Sequence, residues 1–409
     1  MRHLSLLILF LSFSAFAFAQ PAYVYHEKGV KLMNDKKYVE AIAQFDIAIK
    51  TDATYFEAFI DRGRCQMELG KNDLALADFN QGIKLNDKFA PGFYYRAKCQ
   101  EKLGKNDLAI ADYSSCITIN PNFVDSYVQR GRLYSATNQD QLALNDFTKA
   151  ISLDGKNTEV YFQRGLIYRK MKKDNDAMSD FNKCISLDAM IGKAYAEKGK
   201  IELDQKKYDA AIGDLSKAIT LGAADENVYR ARGACYEGKS MNVEAIRDYT
   251  TVIDVYRAKD AEIYRKRGDL FTLQKNYPSA SKDYTKALTL QKDDIPTLLS
   301  RAHSYYVQGK SKYPMAELDY KKVLELEPKN AEAARGMGHI KFDQEKWQEA
   351  ADNFTIAIGT DDVVGEDYFF RAKCNFKLNK KKDCCADFDK AAELKYPGVA
   401  EEKRLAGCQ

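Results

Sequence analysis

Residues 58–85 read AFIDRGRCQMELGKNDLALADFNQGIKL, and residues 126–153 read SYVQRGRLYSATNQDQLALNDFTKAISL. Laid over each other, they share a small residue at Gly63 and Gly131, an alanine at Ala75 and Ala143, and a ring at Phe79 and Phe147. The small slot returns at Gly29, Ala97, Gly165, Gly199, Gly233, Gly268, Ala302, Gly338 and Ala372, nearly always in steps of 34. Twelve residues on, Ala41, Ala109, Ala177, Ala211, Ala245 and Ala280 answer in register. Four further on stand Phe45, Tyr113, Phe181, Leu215, Tyr249 and Tyr284. A fixed period of this length, with helical spacing inside it, marks a stacked array in which no single copy buries a core alone.

Each copy divides in two. Tyr127, Gly131 and Tyr134 repeat at helical spacing in the first half, and Leu142, Ala143, Phe147, Ala150 and Ile151 do so in the second. Turn formers separate the halves, as in Gly70-Lys71-Asn72-Asp73 and Gly104-Lys105-Asn106-Asp107, so the reading is helix, tight turn, helix. Pro278 and Pro314 fall in the first turn of a second helix, where proline is tolerated. A glycine inside a helix costs about 1 kcal/mol relative to alanine. Repeating that cost eight times implies close helix–helix approach, with the ring after each alanine covering the space the glycine leaves.

This pattern resembles the tetratricopeptide repeat (TPR), which combines an aromatic, a Leu-Gly pair and a tyrosine with a later alanine, phenylalanine and proline. The aromatic slot holds Tyr25, Phe59, Phe93, Tyr127, Tyr161, Tyr195, Tyr229, Tyr264 and Tyr368. The resemblance spans eleven copies and implies an all-α fold, a right-handed α-solenoid superhelix over residues 22–397 with a short tail or partial capping helix over 398–409. Two departures stand out. The repeat-ending proline survives only at Pro121 and Pro328, and the leucine before glycine is replaced by a cation, for example Arg62, Arg96, Arg130, Arg164, Lys198 and Arg371. An aspartate of matching period precedes the second-helix ring, at Asp78, Asp112, Asp146, Asp180, Asp214, Asp248, Asp283, Asp319 and Asp387. Repeat ten loses both, having Met337 and Asn353 instead, which points to a bridge between the two helices of one repeat.

Residues 1–19 belong to another category. Arg2 and His3 precede an apolar run from Leu4 to Phe18, which ends in Ala17-Phe18-Ala19 before Gln20. That order of charged start, apolar run and small-residue cleavage site is a secretory signal peptide, with cleavage expected after Ala19 and a periplasmic or secreted protein as the product. No later segment is apolar enough for a membrane span. The 63 basic and 59 acidic residues nearly balance, which argues against nucleic acid as the partner. An exported chain with nine cysteines normally carries a disulfide framework. Here Cys65, Cys99, Cys235 and Cys374 stand two residues after the small slot, and Cys116 and Cys184 replace an alanine, so they read as packing residues. Cys374, Cys384, Cys385 and Cys408 crowd into the last repeat, where there is room for one bridge.

Sites of chemistry are sought and not found. Gly233-Ala-Cys-Tyr-Glu-Gly238-Lys239-Ser240 fits a phosphate-loop pattern by letter, but it lies on a first helix and its turn rather than after a strand. His303 and His339 read as surface histidines, too few for a metal centre. The sequence calls for no catalytic residue, no cofactor and no metal. In the family the first helices line a concave groove that binds segments of other proteins. The resemblance places Arg64, Lys98, Arg132, Lys200, His303, His339 and Lys373 in that lining, with Phe342, Phe369 and Phe376 at further lining positions. The asparagines of the family's chaperone-tail clamp are absent from the slot. The expectation is therefore a non-enzymatic scaffold of the cell envelope or secreted space, binding extended or helical protein segments, acidic ones among them. Two alternatives stand beside it: an anionic glycan or cell-wall polymer along the basic groove, or an accessory subunit of an enzyme complex. Terminal repeats need a polar face or a partner, which leaves end-to-end self-association open.

Overall fold

The computed structural model describes residues 20–408, so the expected signal peptide lies outside the described residues. Helices alternate with tight turns along the chain, and no strand occurs among the described residues. They form eleven helix pairs, from Ala22–Asn34 with Tyr38–Thr51 to Gly365–Lys377 with Lys381–Glu393, followed by a short helix at Val399–Leu405. This is the expected all-α solenoid of tandem helix-turn-helix repeats. The chain falls into two compact units, one up to Ala189 and one from Met190. None of the described helices is long and apolar enough to cross a membrane.

Every first helix is thirteen residues long, and all but that of repeat nine end the same way. In repeat two the Lys71 N–H donates back to the Gln66 carbonyl at 2.8 Å, and Gly70 adopts the left-handed conformation that closes the turn (φ +74°). The equivalent position is Gly104 in repeat three but Lys36, Asn138, Lys172, Lys206, Ser240, Lys275, Glu345 and Asn379 elsewhere, all with φ near +60°. Bulkier residues are thus held left-handed by the bond that flanks them. Repeat nine differs because its two extra residues form a 3-10 turn at Lys310–Lys312, after Gly309 at φ +98°.

The core follows from the small slot. A Cβ on Gly63 would stand 2.8 Å from Cε1 of Phe79, and one on Gly165 2.7 Å from Cε1 of Phe181. Phe79, Phe147, Phe181 and Phe354 are completely buried, each lying across the glycine of its own repeat. Where the ring is Tyr113, Tyr249 or Tyr284, its hydroxyl needs a partner in the interior and finds a carboxylate. Tyr249 donates to Glu237 at 2.7 Å and Tyr284 to Asp269 at 2.8 Å, while Tyr113 donates to Glu101.

The cation and aspartate of each repeat meet. Arg62 donates from Nε and Nη2 to the two oxygens of Asp78 at 2.8 and 2.6 Å. Arg96–Asp112, Arg130–Asp146, Arg164–Asp180, Arg232–Asp248, Arg267–Asp283, Arg301–Asp319 and Arg371–Asp387 form the same two-pronged pair. The aspartates are buried, Asp248 to 1% exposure. The aromatic slot lies against the guanidinium, with Arg62 5.5 Å from the Phe59 ring centroid and Arg371 5.7 Å from that of Tyr368. Repeat six substitutes Lys198, whose Nζ is 2.6 Å from Asp214 and 3.6 Å from Glu202. Burial, then the neighbouring Asp214, pushes the Glu202 carboxyl above its ordinary value.

A third bond has no counterpart in the sequence pattern. The remaining Nη1 of each arginine crosses to the second helix of the preceding repeat. It donates to Asp46 from Arg62 (2.6 Å), to Asn80 from Arg96 (2.9 Å) and to Ser114 from Arg130 (2.8 Å). Thr148, Ser216, Thr250, Thr285 and Thr355 accept the same bond further along. Repeat ten, which lacks the pair, is tied forward instead: Arg335 donates to both oxygens of the fully buried Asp367 at 2.7 and 3.0 Å.

Seven cysteines are buried thiols outside any disulfide, as small packing residues are, and burial pushes the thiols of Cys65 and Cys374 up to about 12. The remaining two pair as a Cys385–Cys408 disulfide, which fastens the end of the chain to the last repeat.

Two outcomes follow from this packing. Gly165→Leu drives carbon atoms into the Phe181 ring, so its loss of stability will exceed the roughly 1 kcal/mol by which helix propensities differ. Gly165→Ala, a residue the slot already accepts at Ala97, will cost much less; equal melting temperatures for the two variants would refute the packing role. Asp146→Ala strands the Arg130 guanidinium and is expected to cost about 3 kcal/mol in chemical denaturation. The double change Arg130→Met with Asp146→Leu will recover most of that loss, and a double variant no more stable than Asp146→Ala would count against a buried pair.

Candidate functional site

Stacking uses the small slot, the ring and the Arg–Asp pair in nearly every repeat, so side chains on the first helices that vary between repeats are the ones left for recognition. In the first unit Arg64 donates from Nη1 to Asp61 at 2.7 Å, and its guanidinium lies 4.4 Å from the Tyr95 ring centroid. The same Asp61 is 2.9 Å from Nε2 of His26. Lys98 points its ammonium at the Tyr94 ring, 5.7 Å from the centroid. Arg64 and Lys98 border a depression of about 380 Å3 whose lining also includes Met33, Tyr38, Met67 and Tyr95. Arg132 is exposed, with one long bond to Gln129 at 3.4 Å, and lies apart from that lining.

In the second unit the expected residues separate into two kinds. Lys200 is held by Glu197 at 2.7 Å, and His303 is exposed with its ring edge-on to Tyr277. His339 is not the surface histidine the sequence suggested. It packs at 4.6 Å against the Phe370 ring and at 5.3 Å against Phe354, with Glu366 3.5 Å from Nε2. Burial lowers its pKa, and the Glu366 carboxylate opposes that shift. Phe369 is also structural, 8% exposed among Phe370, Phe388 and Tyr396.

Phe342, Lys373 and Phe376 come together. With Phe388 and Leu405 they line a pocket of about 270 Å3 near the end of the chain. Lys373 Nζ is 2.8 Å from Glu402, and Phe376 keeps 47% of its surface exposed. Sequence reasoning missed Tyr38 and Tyr95 in the first unit, and Trp347, Lys377 and Leu405 in the second. The one tryptophan of the chain was the available signal: Trp347 stands edge-on to Phe342 at 5.2 Å, with Lys377 5.8 Å from its ring centroid.

The stretch with phosphate-loop letters forms no phosphate cradle. Gly233 is covered by the Tyr249 ring and Gly238 by that of Tyr208, and Ser240 is the left-handed turn residue (φ +58°). No cluster of three His, Cys, Asp or Glu side chains suited to a metal ion occurs among the described residues.

Comparison with known proteins agrees with this geometry. A family model described as "Tetratricopeptide repeat" matches residues 56–89, 124–157 and 158–189, and a second model of the same description matches residues 92–122. No curated protein matches the chain. Among solved structures, the C-terminal part of a TPR repeat-containing protein from Cytophaga hutchinsonii is 21% identical. It aligns over 67% of this chain and 98% of its own, with a TM-score of 0.46. YrrB, described as a TPR protein with an unusual peptide-binding site, is 19% identical over 46% of this chain and 97% of its own, with a TM-score of 0.43. Yeast Tom70 is 16% identical over 94% of this chain and 99% of its own, with a TM-score of 0.32. The family matches show that residues 56–189 are tetratricopeptide repeats, and the same registered helix pair with its glycine–ring contact recurs in the described residues on either side of them.

Proposed function

We propose that this chain is a non-catalytic scaffold that works after export, binding segments of partner proteins on the first-helix faces of its repeats. Tetratricopeptide repeats bind peptide or protein partners. One observation carries the reading: aromatic, methionine and cationic side chains gather around depressions, as Met33, Tyr38, Arg64 and Tyr95 do. Such a surface offers apolar contact and fixed cations together, which suits an extended segment with apolar and acidic residues.

A polyanion reading is less well supported. Arg64, Lys200 and Lys373 each lie within 2.8 Å of a carboxylate of this chain, so their charges are already largely answered. The export part of the proposal rests on the composition of residues 1–19.

Crosslinking in intact cells tests the binding. Partners captured by the unaltered chain will be lost from a variant carrying Arg64→Glu and Tyr95→Ser or one carrying Phe376→Ser, while Phe369 is left alone because it is core. Capture that resists 0.5 M salt is expected for a segment anchored by rings, whereas a polymer held by charge would be released. An identical captured set from both variants would end the proposal. Export is tested separately: the protein purified from its native cells will begin at Gln20 and reside outside the cytoplasm, and a retained Met1 would refute it.

A further inference from the structure

The pocket near the chain terminus differs from the other first-helix surfaces in how its wall is made. Its floor is the buried Phe388, and its sides are Phe342 and the exposed Phe376. The last wall comes from beyond the repeats, where Glu402, Leu405 and Ala406 belong to the helix Val399–Leu405 and its end. A seven-residue helix does not hold itself in water. This one is docked by Val399 and Ala406, which are buried, and by Lys403, whose ammonium is 2.7 Å from Asp389. It is then locked by Cys408, bonded to Cys385 of the preceding helix across a Cα–Cα distance of 5.4 Å. Leu405 lines the pocket while 64% exposed, so its own burial does little to hold it there.

The charges at the rim are not equivalent. Lys373 is matched by Glu402. Lys377 lies over the Trp347 ring, and no carboxylate among the described residues forms an ion pair with it. The pocket is therefore an apolar hole of about 270 Å3, room for one large side chain, beside one uncompensated cation.

We infer that this pocket receives one bulky apolar side chain of a partner protein, flanked by a carboxylate that meets Lys377, and that it exists only while Cys385 and Cys408 are bonded. The inference deepens the scaffold reading by naming one docking site and its control. Reduction by a dithiol transfers two electrons and two protons to the two sulfurs, while the dithiol closes to its own cyclic disulfide. The short helix, freed at its end, then withdraws Leu405 and Glu402 from the pocket. In an oxidising compartment the site is built; in a reducing one it is dismantled while the repeats stay folded.

Trp347, the only tryptophan, sits at the rim and reports occupancy in the full chain from Gln20 onwards. Acetyl-Asp-Phe-Asp-amide is expected to change its emission saturably. Acetyl-Lys-Phe-Lys-amide and acetyl-Asp-Ser-Asp-amide will bind at least tenfold more weakly. Dithiothreitol, or Cys408→Ser, will weaken the first peptide at least tenfold without altering far-ultraviolet circular dichroism or the melting temperature of the repeats. Leu405→Ser, which keeps the disulfide, will weaken it as well. Equal affinity before and after reduction would overturn the conditional wall, and equal affinity for the lysine peptide would overturn the acidic partner. Sedimentation as a dimer that Leu405→Ser dissociates would mean that a second copy of this chain fills the pocket, and would also overturn the proposal. If partners still crosslink in cells while Trp347 stays silent, this site falls and the scaffold reading stands. If Trp347 responds but no partner crosslinks, the site stands and the scaffold reading falls.

Discussion

A guanidinium holds its N–H donors in one rigid plane, and this chain uses that plane as a joint. Two donors grip both oxygens of a buried aspartate on the second helix of the same repeat, so the angle between the two helices is set from within. A third donor reaches the second helix of the repeat before, so the same group also sets the step from one repeat to the next. An ammonium provides a point charge rather than a fork. Repeat six, with Lys198, accordingly holds Asp214 through one ammonium at 2.6 Å rather than through two donors, with Glu202 3.6 Å away. The glycine–ring contact is a separate bond between the same two helices, since Phe354 still lies across Gly338 in repeat ten, where the Arg–Asp pair is absent.

Both layers are legible in the residues themselves, for a definite reason. Glycine, ring, arginine and aspartate recur at constant offsets, and a constant offset between complementary residue types states a contact. Repeat ten, where Met337 and Asn353 replace the pair together, makes the partnership plain. The inter-repeat bond is hidden because its acceptor changes from Asp46 to Asn80, Ser114 and Thr148, sharing an oxygen but no residue type. Left-handed turn residues are hidden likewise, since Lys172 and Glu345 give no sign of positive φ.

Site residues are less legible than the fold. A slot on a helix gives direction but not surroundings. His339 and Phe369 point where the first-helix register sends them, yet Phe370 and Tyr396 close over them. Phe342, Lys373 and Phe376 stay accessible because their neighbours Trp347, Lys377 and Leu405 form a rim rather than a lid. Four crowded cysteines suggest one bridge. Only the path of the terminal helix, bringing Cys408 back beside Cys385, picks out which two are joined.

The acceptors of the inter-repeat bond carry a further consequence. A joint satisfied by aspartate, asparagine, serine or threonine makes almost no demand on which repeat comes next. A copy of a repeat that carries both the arginine and such an acceptor, inserted after another of its kind by duplication of its coding segment, finds an oxygen waiting for its arginine and presents one in return. Such a chain can lengthen, shorten or be reshuffled without inventing an interface. The side chains that recognise partners are then free to diverge from copy to copy while the joint stays the same.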